Sequence, residues 1–152
     1  SSQFGQRPEE AVVRPTSASS PHTFSTALLR AIPFAMASMR CRHLLIKFEG
    51  SRNPVSRRTN KSTANVSAKA AQEELQQYAD KINAEGATEE VFAKYAQERS
   101  DCGSFKSGGD LGDFGPGDMQ KQFEQGTLAT PVGKMSDIVL SDSGFHLIFR
   151  TK

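Results

Sequence analysis

Short apolar runs and helix-periodic stretches alternate along the chain from about residue 39 onward. Residues 40–48 and 145–149 are the longest such runs, at the two ends of this region, and a shorter run lies at 138–140; residues 110–114, within a glycine-rich stretch, are a further short candidate strand. Runs of this length, bounded by turn-forming residues, are typical of β-strands. The pattern therefore predicts four strands.

Between these strands, apolar residues recur at helical spacing. A helix is predicted over residues 67–84, capped by Ser67, and a second begins after Thr88. A short third helix is predicted over 119–125, capped by Asp118. The predicted apolar faces are Ala71, Leu75, Tyr78 and Ile82 in the first helix, and Val91, Phe92, Tyr95 and Ala96 in the second. The order β-α-α-β-α-β-β predicts an α+β fold.

Composition narrows the functional class. The chain has 152 residues, 36% hydrophobic and 24% charged, with a net charge of +2. This charge is too small to indicate nucleic-acid binding, and no apolar run reaches the roughly 20 residues of a membrane-spanning helix. The chain's 2 cysteines exclude a disulfide framework or a four-cysteine zinc site. We expect a cytoplasmic or nuclear protein with no metal.

The first part of the chain has a different character. Residues 1–38 are rich in Ser, Ala, Thr and Pro and lack apolar periodicity, so we expect a disordered N-terminal extension followed by one folded domain over 39–152. A natural start at Met39, with vector-derived or untranslated residues before it, is one explanation. A transit peptide is the other.

Two histidines interrupt the two longest apolar runs. His43 lies in the first predicted strand and His146 in the last. Because side chains alternate along a strand, His43 and Lys47 share one face. If the two terminal strands pair, the imidazoles meet inside the sheet; otherwise they are ordinary buried histidines.

Two further stretches are candidates for a binding site. The long polar loop after the first strand carries Arg52, Arg57, Arg58 and Lys61 without an acidic residue, which indicates either a solvated loop or a small anion site. Residues 100–117 are rich in glycine but lack the phosphate-loop pattern. Glycine there indicates sharp turns beside a pocket.

Five short segments carry a family resemblance. They are Arg-His-Leu-Leu at 42–45, Ser-Asp-Cys at 100–102, Gly-Asp-Leu-Gly at 109–112, Met-Gln-Lys-x-Phe at 119–123 and Ser-Gly-Phe-His at 143–146. Their order and spacing resemble parvulin-type peptidyl-prolyl cis/trans isomerases over residues 39–152. Cys102, the arginine-bearing loop and residues 119–121 resemble the phosphorylation-dependent, Pin-type branch.

The resemblance implies a fold and an activity. We expect a four-stranded antiparallel sheet surrounded by helices, and isomerisation of phospho-Ser/Thr-Pro bonds in client proteins by a monomer that needs no cofactor. Pin-type relatives often carry a tryptophan-containing binding module (the WW domain). This chain contains 0 Trp, so that module is expected to be absent.

The resemblance also implies roles for particular residues. The implied catalytic set is His43, Cys102, Ser141 and His146, with Ser143 in support. The implied proline site is Leu111, Met119 and Phe123, with Gln120 near the substrate carbonyl. Of the family's phosphate-binding residues, Lys47 and Arg52 match, but Asn53 stands where a second arginine is expected; Arg57 or Arg58 is the candidate replacement.

Several alternatives stay open at this point. Prolyl rotation breaks no bond, so Cys102 has either a polarising role or a nucleophilic one. Met119 and Phe123 are equally compatible with ordinary core packing. The competing functions are a general parvulin with weak anion preference, suggested by Asn53, a non-catalytic phosphoprotein-binding module, and a cysteine-histidine hydrolase.

Overall fold

The computed structural model describes residues 38–152. The predicted N-terminal extension, residues 1–38, lies outside the described residues except for Ser38. The elements are β1 (Met39–Ile46), α1 (Ala68–Ala84), α2 (Glu89–Arg99), a 3-10 helix (Gly103–Ser107), β2 (Asp110–Phe114), α3 (Lys121–Leu128), β3 (Val139–Ser141) and β4 (Gly144–Arg150). No helix in this part of the chain is long and apolar enough to cross a lipid bilayer.

The four strands form one antiparallel sheet in the order β2-β1-β4-β3. The two strands that carry the histidines are the central pair, in register with Cys41 opposite Arg150 and Ile46 opposite Phe145. Central strands are covered on both faces, which explains their nearly continuous apolar sequences. The predicted α+β order is confirmed.

Helices cover both faces of this sheet. On one face, α1 and α2 pack against Leu44, Ile46, Phe145, Leu147 and Phe149. On the other face, Phe123 of α3 joins Met39, Cys41, Phe114 and Ile148 in a smaller cluster. The site described below lies on this second face, because His43 alternates with Leu44 along β1.

The predicted caps of the first two helices are confirmed. Ser67 accepts a hydrogen bond from Ala70 N, and Thr88 accepts one from Val91 N. The apolar stripe of α1 differs in one position, since Ala79 is buried where Tyr78 was expected. The Tyr78 ring is only partly buried, and its hydroxyl donates to Glu98 at the surface.

Other boundaries differ from the sequence prediction for local reasons. The third helix begins at Lys121, and Asp118 does not cap it: the Asp118 carboxylate accepts from Gly115 N within the preceding turn. The 3-10 helix was not predicted. Strand β1 ends before Phe48, whose N–H bonds the Ser51 hydroxyl and so begins a turn.

Candidate active site

The two histidines meet across the central strand pair. Leu45 is opposite His146 and His43 is opposite Ile148, so the two imidazoles are diagonal neighbours on one face. Their Nδ1 atoms are 3.0 Å apart, and both side chains are buried. The sequence-based expectation that the imidazoles meet in the sheet therefore holds in the structure.

Phe123 of α3 joins this pair to the rest of the site. Its ring meets His146 edge-on, with centroids 4.9 Å apart, and meets His43 edge-on at 5.4 Å. The helix therefore holds both imidazoles in place from above the sheet.

A chain of hydrogen bonds fixes which nitrogen carries a proton. Burial lowers the pKa of His146 well below its ordinary value, and the neighbouring His43 adds to this effect, so His146 is neutral. Ser141 Oγ lies 2.7 Å from His146 Nε2 and already accepts from Ser143 N. Within residues 38–152, His146 Nε2 is the acceptor available to the Ser141 hydroxyl proton, so we assign the hydroxyl as donor to Nε2 and His146 Nδ1–H as donor to His43 Nδ1.

This order leaves a proton on His43 Nε2. That atom is buried and has no hydrogen-bond partner within residues 38–152. In the opposite arrangement His43 Nδ1–H would donate to His146 Nδ1 and His146 Nε2–H would donate to Ser141 Oγ. The Ser141 hydroxyl proton would then have no acceptor among residues 38–152. Cys102 lines the same cleft as His43 and interacts with its imidazole.

Cys102 begins the 3-10 helix and accepts a hydrogen bond from Ser104 N at 3.5 Å through its sulfur. Burial raises the pKa of this thiol, but interaction with His43 and with Ser104 outweighs burial and lowers the pKa to about 6. The Cys102 thiol therefore ionises more readily than an ordinary cysteine thiol.

Gly109 makes the approach of this segment to β1 possible. Its carbonyl accepts from His43 N at 2.9 Å, with φ at +84°. A Cβ at this position would lie 2.3 Å from the His43 carbonyl oxygen. Only glycine allows the backbone to pass so close to His43.

An apolar cleft of about 290 Å³ opens beside the histidines. Its apolar lining consists of Leu111, Met119 and Phe123, the three residues that the resemblance assigned to the substrate's proline. Leu111 and Met119 are only partly buried, so they contribute both to packing and to an accessible surface. The remaining lining residues are His43, Arg52, Cys102, Asp118, Gln120, Ser141, Ser143 and His146.

Gln120 has a structural contact that the sequence did not reveal. Its amide nitrogen donates to Ser143 Oγ at 3.1 Å, and its amide oxygen accepts from Asp142 N at 3.0 Å. Gln120 thus fixes the β3–β4 turn against the start of α3. Its predicted contact with a substrate carbonyl stays a prediction.

A second, cation-lined cavity of about 550 Å³ adjoins the apolar cleft. It is lined by Lys47, Arg52 and Arg57, together with Leu45, Asn53, Cys102, Gly103, Ser104, Leu111 and Ser143. Arg52, Cys102, Leu111 and Ser143 line both spaces. One extended ligand can therefore reach both.

Lys47 is the buried cation of this cavity, with 6% of its surface exposed. Its ammonium donates to Val55 O at 2.8 Å. Burial lowers the pKa of Lys47, and the positive charge of Arg57 lowers it further. An anion entering the cavity would relieve this repulsion and favour the charged lysine.

The loop that carries the arginines is hydrogen-bonded along its length. Arg52 N donates to Asp142 O at 2.7 Å, and Arg57 N donates to Asp101 O at 2.9 Å. Arg57 lines the cation cavity, whereas Arg58 does not. Of the two candidates to replace the missing arginine, the structure brings only Arg57 to the cavity.

The sequence analysis gave no role to several residues of this site. Ser100 Oγ accepts from Leu45 N, and the Asp101 carboxylate accepts from Lys47 N. Ser104 lines the cation cavity. Ser100 and Asp101 were marked only by their place in the Ser-Asp-Cys segment, and Ser104 only by its place in the glycine-rich stretch, where polar residues have no periodicity to mark them.

Within residues 38–152, no group of three or more His, Cys, Asp or Glu side chains is arranged to hold a metal ion. The geometry offers an apolar cleft for a compact ring, a polarised sulfur and a cationic cavity next to it.

Comparison with known proteins identifies relatives of this chain. The family model for the rotamase, PPIC-type PPIase domain matches residues 43–152. The chain is 38% identical over 123 residues to peptidyl-prolyl cis-trans isomerase NIMA-interacting 1 of Theileria annulata, covering 81% of this chain and 86% of that protein. It is 44% identical over 115 residues to peptidyl-prolyl cis-trans isomerase Pin1 of Arabidopsis thaliana, covering 74% of this chain and 94% of that protein.

A solved structure agrees with these matches. The solution structure of TbPIN1 is similar with a TM-score of 0.67 and 50% sequence identity, covering 76% of this chain and 98% of that one.

Proposed function

The chain belongs to the Pin-type branch of the parvulin (PPIC-type) peptidyl-prolyl cis/trans isomerases, and from that premise we propose that it acts on prolyl bonds preceded by phosphoserine or phosphothreonine. The observation that carries this specificity is the cation cavity, where Lys47, Arg52 and Arg57 line a space continuous with the apolar cleft. Its clients would be proteins that contain phosphorylated Ser/Thr-Pro segments.

In this proposal the substrate spans the two spaces. The proline ring lies against Leu111, Met119 and Phe123, and the phosphate of the preceding residue lies in the cation cavity. The amide to be rotated then lies between them, near the shared residues Cys102 and Ser143. Holding the phosphate fixes one side of the amide while the ring side turns.

The chemistry is a rotation against amide resonance. The barrier is ~18–20 kcal/mol, and it falls only if the site favours the twisted amide over the planar one. The oxygen of a planar amide carries more negative charge than that of a twisted amide. An anionic Cys102 facing the carbonyl oxygen would therefore destabilise the planar state, with no covalent bond formed.

The cation cavity supplies selectivity by a separate effect. A phosphoserine carries a charge of about −1.5 to −2 at neutral pH. A hydrogen bond to a charged group contributes about 1.5–3 kcal/mol, which is roughly ten- to a hundredfold in affinity. Asn53 lines the same cavity and adds no charge, so the cationic contribution comes from Lys47, Arg52 and Arg57.

Exchange spectroscopy with three peptides tests the proposal. The peptides differ only before proline: phosphoserine, glutamate or alanine. We expect kcat/KM to fall in that order, with about a hundredfold or more between the first and the last, because the alanine peptide loses every charged contact of the cavity. Equal turnover of the phosphoserine and alanine peptides would contradict the proposed selectivity for phosphoserine before proline and would favour a general parvulin.

A further inference from the structure

Strand β1 has a free edge where β2 stops. The β1–β2 pairing ends at Arg42 opposite Asp110, so among residues 38–152 no strand pairs with Leu44 to Lys47 on that side. Unpaired backbone groups at a buried edge need other partners. The segment of Ser100 and Asp101 supplies them.

Asp101 makes most of these bonds. Asp101 N donates to Leu45 O at 2.7 Å, and its carboxylate Oδ2 accepts from Lys47 N at 2.9 Å. Its backbone oxygen accepts from Arg57 N at 2.9 Å. One residue thus bonds the backbone of two of the three cavity cations and directly precedes Cys102.

The other carboxylate oxygen ties Asp101 to the helices. Oδ1 accepts from Arg99 Nη1 at 3.0 Å, and Arg99 pairs in turn with Glu74 of α1. Asp101 is only 2% exposed. A buried carboxylate with a donor on each oxygen has one orientation, so it is a rigid anchor.

We propose that Asp101 is the positioning residue of the cation cavity, holding Lys47 and Arg57 in the arrangement that recognises phosphate. The inference rests on the proposed function, because it assigns a cause to the selectivity of that same site. On this proposal the Ser-Asp-Cys segment has two roles. Asp101 orders the cation cavity, and Cys102 lies beside the amide that is rotated.

Asp101→Asn distinguishes two possible roles of Asp101: holding the cavity residues through hydrogen bonds, and acting only as a negative charge. Asn has one acceptor and one donor where Asp has two acceptors, so Asp101→Asn can satisfy only one of Lys47 N and Arg99 Nη1. It also removes a negative charge that acts on Lys47 and pairs with Arg99. If Asp101 acted only as a counter-charge, its neutralisation would tighten phosphate binding.

The matched control is Glu74→Gln. It removes a charge from the same network and leaves both bonds to the Asp101 carboxylate in place. Thermal unfolding of both variants establishes the temperature range in which they are folded.

The test measures kcat and KM for each protein with the phosphoserine and alanine peptides. We expect Asp101→Asn to raise KM for the phosphopeptide about tenfold, the loss of one charged hydrogen bond, with little change in kcat or in the alanine peptide. We expect Glu74→Gln to behave as wild type. A lower KM for the phosphopeptide, or equal losses on both peptides, would overturn the inference.

The two proposals fail in different ways. If the wild-type protein turns over both peptides equally, the proposed function fails and this inference fails with it. If wild type prefers the phosphopeptide and Asp101→Asn keeps that preference, only the role of Asp101 is lost.

Hydrogen exchange on the wild-type protein tests the role without a substitution. Lys47 and Arg57 amides both bond to Asp101, so inorganic phosphate should slow their exchange in parallel, by the same factor. Phosphate that protects one amide and leaves the other unchanged would contradict a common anchor.

Discussion

The apolar cleft and the cation cavity adjoin, yet they are built differently. The cleft combines side chains from β1, β2, β4 and the start of α3, and its histidines are fixed by strand register. The cavity takes Lys47 from just beyond β1 and both arginines from the loop that follows. The cleft therefore depends on packing, whereas the cavity depends on single hydrogen bonds to Asp101, Asp142 and Val55.

This difference separates two kinds of failure. Damage to the cleft should reduce turnover of every peptide and also reduce stability, because the same residues form the core. Damage to the cavity should reduce selectivity for phosphate with little effect on folding. Substitutions on each side test this separation.

The largest effect is expected from Phe123→Ala. Phe123 is 4% exposed and contacts both imidazoles. Its truncation should lower the free energy of unfolding by about 3–5 kcal/mol. It should also lower kcat/KM about a hundredfold on the phosphoserine and alanine peptides alike, a value that assumes ~2.7 kcal/mol of lost transition-state stabilisation.

The matched control for this substitution is Phe123→Leu, which keeps an apolar side chain. It should cost less than about 1.5 kcal/mol in stability while losing the edge-on ring contacts. An effect of Phe123→Ala confined to the phosphopeptide would break the distinction between the two regions. Chemical denaturation and exchange spectroscopy provide the two readouts.

Arg57→Met should affect only the cavity. Losing one cationic contact should reduce kcat/KM for the phosphopeptide by roughly ten- to a hundredfold and leave the alanine peptide unchanged. Arg58→Met is the control, because Arg58 is adjacent in sequence but does not line the cavity. Equal losses from the two substitutions would show that only the net charge of the loop matters.

Ser141→Ala is expected to have a smaller effect within the cleft. It removes the hydroxyl that donates to His146 Nε2, so the proton order of the histidine pair is no longer fixed. A lost hydrogen bond of about 1 kcal/mol predicts a roughly fivefold fall in kcat/KM for both peptides. Nitrogen chemical shifts of the imidazoles report the tautomers directly.

Ser141→Thr keeps the hydroxyl and should retain both the tautomers and the activity. Loss of activity in Ser141→Thr equal to that in Ser141→Ala would point to steric fit and away from proton order.

The smallest effect is expected from a change of pH, which alters the ionisation of the Cys102 thiol. The pKa of this thiol is lowered to about 6, so the thiolate is present above that pH and is lost as the pH falls through it. Alkylation by iodoacetamide should therefore reach half its maximal rate near pH 6. Cys41 is an internal control, because burial raises its pKa to about 12.

Activity should follow the same titration. The second pKa of phosphate is also near 6, so the glutamate peptide is the appropriate substrate for this profile. With that peptide, kcat/KM should rise as the pH increases through about 6. If kcat/KM for this peptide did not change with pH, the proposed electrostatic role of the Cys102 thiolate would be wrong.

The difference between the apolar cleft and the cation cavity also explains which parts of the site could be predicted from the sequence. Strand alternation and the resemblance together placed His43, His146, Met119 and Phe123 in one site, because apolar patterns follow the geometry of regular elements. The lining of the cation cavity was predicted only in part. Whether Arg57 or Arg58 faces the cavity depends on the Ser56-centred turn, in which the Ser56 hydroxyl accepts from Arg58 N and Thr59 N.

The missed features share one property: they are polar contacts between segments distant in sequence. Asp101 bonds to Lys47 across 54 positions, and Gln120 reaches Ser143 across 23. Asp118 illustrates the converse error, since its carboxylate was assigned to a helix cap but bonds within its own turn. Such choices are decided by tertiary geometry, which propensity does not encode.

The central claim is that one substrate places its proline in the apolar cleft and its phosphate in the cation cavity. Intermolecular NOEs from a phosphoserine-proline peptide to the labelled protein test this placement most directly. We predict contacts from the proline ring protons to Leu111, Met119 and Phe123, with the largest phosphate-dependent amide shifts at Lys47 and Arg57. Proline contacts away from these three residues, or shifts that do not depend on the phosphate, would contradict the account.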